Sequence, residues 1–165
     1  MSIFDPASGE VGVETVAEAG DWPEEAEIAA ATVTAVKAAV QRARPALAEG
    51  AEVAIILSDD AHIRELNRRF RGKDAPTNVL SFPAAPPAGG RFGPLLGDIV
   101  LARETMLREA AERGVGVVEY TTHLVVHGFL HLVGYDHETD EEAVVMEGLE
   151  TFIMEDLGLH DPYAS

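Results

Sequence analysis

Hydrophobic positions along the chain change period several times, and each change marks an element. Trp22-Pro23-Glu24-Glu25 places Pro in a first helical turn and acids at the positive end of a helix dipole. An Ala-rich helix is expected from there through about residue 48, ended by Glu49-Gly50. Glu52 to Leu57 is a continuous apolar run, the pattern of a buried strand. Ser58-Asp59-Asp60 caps a helix with Ile63, Leu66 and Phe70 at helical spacing, closed by Gly72. Asn78 to Phe82 and Leu95 to Leu101 read as strands. Between them, Pro83 to Pro94 holds four prolines and three glycines and is expected to be a loop and a candidate flap. Arg103 to Arg113 is a helix ended by Gly114, and Val117 to Val133 a long apolar helix ended by Gly134. The last helix is Thr139 to Leu157, with Thr139 and Glu142 spaced as a capping box and Gly158 as its stop. A further strand is placed in residues 10–17.

The pattern predicts an α/β (or α+β) fold: one layered domain over residues 1–165, with a small mixed sheet packed against several helices. Residues 1–20 and 160–165 are expected to be peripheral. There is no internal repeat and no long low-complexity tract.

Composition narrows the chemistry. The chain has 165 residues and no cysteine, which excludes disulfides, thiolate metal sites and a catalytic thiol. The acidic N-terminus, MSIFDPASGE, lacks a signal pattern, and runs such as Val53 to Leu57 are too short to cross a bilayer. A cytoplasmic protein with no membrane partner is expected. The net charge of −17 argues against a nucleic-acid binder, whose footprint is positive. Yet Arg64, Arg68, Arg69, Arg71 and Lys73 fall close together. Net charge sets the far field, while a local patch sets the contact.

The densest chemistry is HGFLHLVGYDH, His127 to His137. His127 and His131 are four apart on a helix, roughly 5–6 Å between Cβ atoms. That spacing lets two imidazoles reach one ion at about 2.0–2.1 Å each. Gly134 permits the left-handed turn that would bring His137 back to the same ion. Three nitrogen ligands leave a fourth position open, the layout of a catalytic rather than a closed structural site. A single helix histidine is usually a packed or surface residue; three, with a glycine placed for the turn, are hard to ascribe to chance. The spacing also matches metzincin metalloproteases, except that their Glu general base after the first His is here Gly128.

Three blocks carry a resemblance. In chain order, RGKDAPTNVLSFP (71–83), LGDIVLA (96–102) and HLVVHGFLHLVGYDH (123–137) resemble the signature blocks of the YbeY family of bacterial metal-dependent endoribonucleases. The resemblance covers about residues 64–137. It implies that His127, His131 and His137 ligate one metal ion per chain, most simply zinc, at the end of the long helix. It implies that Arg71 is the catalytic arginine, contacting RNA or its transition state. The implied substrate is single-stranded RNA, including precursor rRNA near the 3′ end of the small-subunit (16S) RNA, with roles in rRNA maturation and ribosome quality control. Ribosomal proteins are the implied partners, and DNA is not expected. The acidic total suggests that a ribosomal partner supplies affinity that the bare chain lacks.

Arg68, Arg69 and Lys73 either touch the RNA backbone or are a solvated helix end, where cations favour the C-terminal dipole. Of these, Lys73 is kept as a substrate-binding candidate. His123 extends the histidine stripe by one turn, as a packed residue, lining the cleft, or bonded to a group behind the ligands. Asp136 either orients an imidazole or caps the turn. Asp98 lies among apolar strand neighbours, near the cleft or bonded to a backbone amide. His62 and His160 read as surface residues, Leu130 and Leu132 as core. Two other functions stay open at this level: a metalloprotease-like hydrolase, and a non-catalytic ribosome assembly factor with a structural metal.

Overall fold

A computed structural model describes residues 2–5, 11–84 and 89–164. Its elements, in chain order, are β1 (Ser2–Asp5), β2 (Val11–Ala17), α1 (Glu25–Ala43), β3 (Ala51–Ser58), α2 (Asp60–Arg71), β4 (Val79–Pro83), β5 (Leu95–Ala102), α3 (Arg103–Arg113), α4 (Val117–Leu132) and α5 (Asp140–Asp156). The strands form one mixed sheet in the order β1-β2-β3-β5-β4. β3 pairs in parallel with β2 and β5, and the two edge strands β1 and β4 run antiparallel to their neighbours. The expected α/β class and mixed sheet are both present.

The sheet is covered unequally. Its inner face sends Val13, Ile55, Leu57, Ile99 and Leu101 into a core shared with Ile28 and Val36 of α1 and with Val125, Phe129 and Leu130 of α4. The outer face is covered by α2, where Ile63 meets Leu80, Val100 and Ala102 in a smaller cluster. The end of β5 is therefore buried on both sides, which explains its unbroken apolar run from Ile99 to Ala102. α4 lies at the centre, against α1, β4, β5, α3 and α5. A helix surrounded on most sides is apolar nearly all round, and α4 is. Among the described residues no helix is long and apolar enough to cross a membrane.

Four expectations are corrected. α1 stops at Ala43 rather than about residue 48: Pro45 disfavours a helical residue before it, and Arg44 turns left-handed at φ 49°. The strand expected in 10–17 is real but not peripheral, since Val11 and Val13 of β2 are core residues. The Pro83–Pro94 segment begins inside β4, and residues 85–88 lie outside the described residues. Its later part is tied down rather than free, because Phe92 exchanges backbone hydrogen bonds of 2.8 Å with Ala46 and Ala48. Finally, the segment after His160 reaches back to a buried side chain, as described below. The Thr139 capping box is present, with both reciprocal bonds formed.

Candidate metal centre

The histidines converge because α4 ends where it does. Gly134 adopts φ +100°, a backbone that costs L-residues dearly, and the chain reverses there. Gly134 N–H donates to the His131 carbonyl at 3.2 Å and Tyr135 N–H to the Leu130 carbonyl at 3.0 Å. The reversal does two things. It carries His137 back over the helix end, where the ligand nitrogens of His127, His131 and His137 lie within 4.8 Å of one another. It also aims the Tyr135 carbonyl at Nδ1 of His131, 3.0 Å away. A carbonyl only accepts, so Nδ1 carries the hydrogen and Nε2 of neutral His131 is bare.

Nε2 of His131 and Nε2 of His127 face each other at 3.2 Å. Two nitrogens of a tetrahedral zinc site stand about 3.3 Å apart, given bonds of about 2.0–2.1 Å. The donor set therefore fits a divalent ion of the zinc class. Burial, then the neighbouring His127 and His137, pull the His131 imidazole down to about 4, so it is neutral and able to ligate at physiological pH. Among the described residues these three form the metal-competent cluster.

Behind His127 sits a residue that was not predicted. Glu150 of α5 is fully buried, and its Oε2 lies 3.0 Å from Nδ1 of His127. Its Oε1 lies 2.7 Å from Nε2 of His123 and accepts from the Tyr163 hydroxyl at 2.7 Å. Burial alone would raise this carboxyl, but hydrogen bonds from His123 and His127 outweigh it and hold Glu150 down at about 2. The sequence carried a signal: Met146, Glu150 and Ile153 share the buried stripe of α5, and an acid in such a stripe needs partners. His123, among its readings, is a packed residue that touches the ligands through Glu150.

Gly128 has a packing reason. A Cβ there would come within 2.9 Å of Ile99 Cγ2 and 3.0 Å of Ser81 Oγ, so a side chain on α4 at this point would have to push β4 and β5 side chains aside. The glycine is therefore a packing residue as well as the position where the protease base would stand. Ser81 donates to the Gly128 carbonyl at 3.2 Å and fixes that approach.

The basic patch sorts itself by partner. Arg64 is paired with Asp74 at 2.8 Å and Arg68 with Glu65 at 2.5 Å. Arg69 lies over the Phe70 ring, 5.4 Å from its centroid. Arg71 and Lys73 are exposed and form no ion pair among the described residues. They stand at the end of α2, on the opposite face of the sheet from α4. The connection runs round the edge strand: Phe82 packs edge-on against Phe70, with centroids 5.4 Å apart, and its neighbour Ser81 holds Gly128. One dipeptide of β4 thus touches both the arginine-bearing helix end and the histidine-bearing helix. The structure brings the three histidines together; Arg71 and Lys73 make no contact with them.

The remaining candidates take modest roles. Asp136 accepts from the His137 backbone N–H at 2.8 Å and caps the turn. Asp98 lies on the open part of the outer face beside Glu14 and Glu52, and partial burial raises its carboxyl. His62 sits 3.3 Å from Glu18 and His160 2.9 Å from Glu119, both at the surface. Leu130 and Leu132 are core.

Comparison with known proteins gives a consistent picture. The family model described as Endoribonuclease YbeY matches residues 18–158. A protein named Endoribonuclease YbeY from Allorhizobium ampelinum is 49% identical over 157 residues, covering 92% of this chain and 94% of its own. Its namesake from Rhizobium meliloti is 51% identical over 152 residues, covering 88% and 90%. Another, from Rhodopseudomonas palustris, is 52% identical over 153 residues, covering 92% and 80%. A solution structure of a Thermotoga maritima protein superposes with a TM-score of 0.52 at 22% identity, covering 92% of this chain and 99% of that one, which bears on the fold alone.

Proposed function

Since the chain belongs to the YbeY endoribonuclease family, we propose that it is a zinc-dependent endoribonuclease that cuts single-stranded RNA, notably at the 3′ end of precursor small-subunit rRNA. The observation that carries this reading is the convergence of His127, His131 and His137, with ligand nitrogens within 4.8 Å of one another.

When bound by these three nitrogens, a zinc ion supplies a Lewis acid for a phosphoryl oxygen. The protein's own part is orientation and charge. Nδ1 of His131 is held by the Tyr135 carbonyl, so the imidazole meets the ion without first losing a hydrogen. Arg71 is the catalytic arginine in this proposal: an exposed guanidinium without a carboxylate partner is available to a phosphate, contacts it bidentately and stays charged throughout. Lys73 adds a second, point-like positive charge for the RNA backbone. In this reading an RNA strand runs over the β4 edge, where Phe82 touches the arginine-bearing helix end and Ser81 the histidine-bearing helix. With glycine at residue 128, tightly packed against Ile99 and Ser81, the position of the protease-type base carries no carboxylate, which favours the nuclease over the hydrolase alternative.

The net charge of −17 repels a polyanion at long range. We assign the missing affinity to a ribosomal protein partner in the cytoplasm, which would present the RNA to the site. The test is metal removal. Protein stripped by chelator should not cut a single-stranded RNA bearing a small-subunit 3′ extension, and added zinc should restore cutting. Stripped protein that cuts as fast as loaded protein would contradict the proposal.

A further inference from the structure

The middle of α5 turns an acid into the core. Glu150 shares its helical stripe with Met146 and Ile153, and no part of it is exposed. A carboxylate out of water is costly unless donors surround it, and an apolar residue would fill the same space without that cost. Glu150 meets no Lys or Arg among the described residues; its partners are two imidazoles and a phenol. They come from two separate parts of the chain. His123 and His127 are one turn apart on α4. Tyr163 comes from the segment beyond Gly158, which is itself fastened to α5, where Asp161 accepts from Thr151 Oγ1 at 3.1 Å and from the Tyr163 N–H at 2.9 Å.

The chemistry of the pairing is specific. A solvated imidazole keeps its hydrogen on Nε2 most of the time, and Nε2 of His127 is the atom that faces His131. An ionised carboxylate only accepts, so Oε2 at 3.0 Å obliges Nδ1 of His127 to carry the hydrogen. On the other oxygen, His123 donates from Nε2, and its own Nδ1 is left buried with no partner. A histidine that keeps this bond at the expense of its second nitrogen is holding the carboxylate, as is Tyr163.

We propose that Glu150 is a positioning residue for the metal centre: it fixes His127 with a bare Nε2 turned toward His131 and His137, while His123 and the C-terminal Tyr163 hold the carboxylate in place. The inference rests on the metal-site reading above. It makes the segment after Gly158 a support of the site.

The test reads the metal-free protein first. Long-range nitrogen–proton NMR should find the His127 hydrogen on Nδ1 in the wild type. Glu150→Ala should move His127 toward the Nε2–H tautomer and raise the zinc dissociation constant roughly 10–100-fold, the usual effect of losing such a support. Tyr163→Phe, which keeps the ring and removes one donor, should stay folded and weaken zinc a few-fold. A wild-type His127 with its hydrogen on Nε2 would overturn the proposal, as would variants whose zinc affinity equals the wild type's. Should Glu150→Ala fail to fold, the wild-type tautomer and Tyr163→Phe decide. Wild-type protein that takes up no zinc overturns both this proposal and the metal reading, whereas zinc uptake indifferent to both substitutions overturns this proposal alone.

Discussion

On one side of β4, at the end of α4, each histidine of the proposed metal site is set by the chain around it: His131 by the Tyr135 carbonyl, His127 by a buried carboxylate, His137 by the turn that Asp136 caps. On the other side, at the end of α2, Arg71 and Lys73 stand in solvent with no carboxylate to hold them, although Arg64 and Arg68 nearby are both paired. The difference follows from the jobs assigned to each. An ion with short, directional bonds needs ligands fixed in advance. A phosphate chain needs charge that is not already neutralised, and a long side chain can find it. The buried end should therefore couple stability to function, and the exposed end should separate them.

Substitutions can break this contrast, and the largest effect belongs to the buried end. His131→Ala should abolish zinc uptake and reduce cleavage roughly a thousandfold or more, beyond the ~10²–10³ expected for a single electrostatic donor; calorimetric zinc titration and a cleavage assay check it. Gly128→Ala should cost about 1–3 kcal/mol by overpacking against Ile99 and Ser81, lowering the melting temperature by about 3–10 °C. A melting temperature equal to wild type would mean that α4 is not wedged against β4 as described.

Arg71→Ala should behave in the opposite way. Cleavage should fall about 10–100-fold while zinc affinity and melting temperature stay at wild-type values. Acid should act chiefly on the buried end, because the Arg64–Asp74 and Arg68–Glu65 pairs at the other end are solvent-exposed and contribute little. His131 is held at about 4 against 6.5 in the unfolded chain, and Glu150 at about 2 against 4.5. Both groups bind protons more readily when unfolded, so stability is present above those unfolded values and is lost as pH falls, first between 6.5 and 4, then between 4.5 and 2. Denaturant titrations across that range should show the decline, and Arg71→Ala should leave it unchanged. The smallest effect is expected for Lys73→Ala: RNA affinity drops a few-fold, and the slope of log affinity against log salt flattens by about 0.7, one phosphate contact on a single strand.

The same contrast governs how much was legible in the sequence. The histidine centre is local: two ligands one helical turn apart, and a third a few residues past a glycine. Most helix starts and stops were legible for the same reason, because Asp59, Gly72, Gly114 and Thr139 act on their own neighbours; the stop of α1, set locally by Pro45, was the exception. The other misreadings arose where distant segments decide. The strap between Phe92 and Ala46 to Ala48 joins two loops far apart in sequence, and the flap reading missed it. Glu150 reaches His127 across 23 residues and Tyr163 reaches Glu150 across 13, so no spacing rule in the His motif points to them. Gly128 read as a missing base, and only the packing of α4 on Ile99 and Ser81 explains why it is glycine. Arg71 stood out only through the resemblance, because its freedom depends on which neighbouring arginines find acids.

The central claim is that one RNA is acted on from both sides of β4. Wild type, His131→Ala and Arg71→Ala, purified in parallel with zinc present, should be compared on a single-stranded RNA carrying a small-subunit 3′ extension, with cleavage and RNA binding measured on the same samples. At RNA concentrations high enough to bind without a ribosomal partner, the account predicts that only wild type cuts efficiently, that His131→Ala binds the RNA without cutting it, and that Arg71→Ala takes up zinc yet cuts slowly. Equal cleavage by wild type and His131→Ala would contradict it.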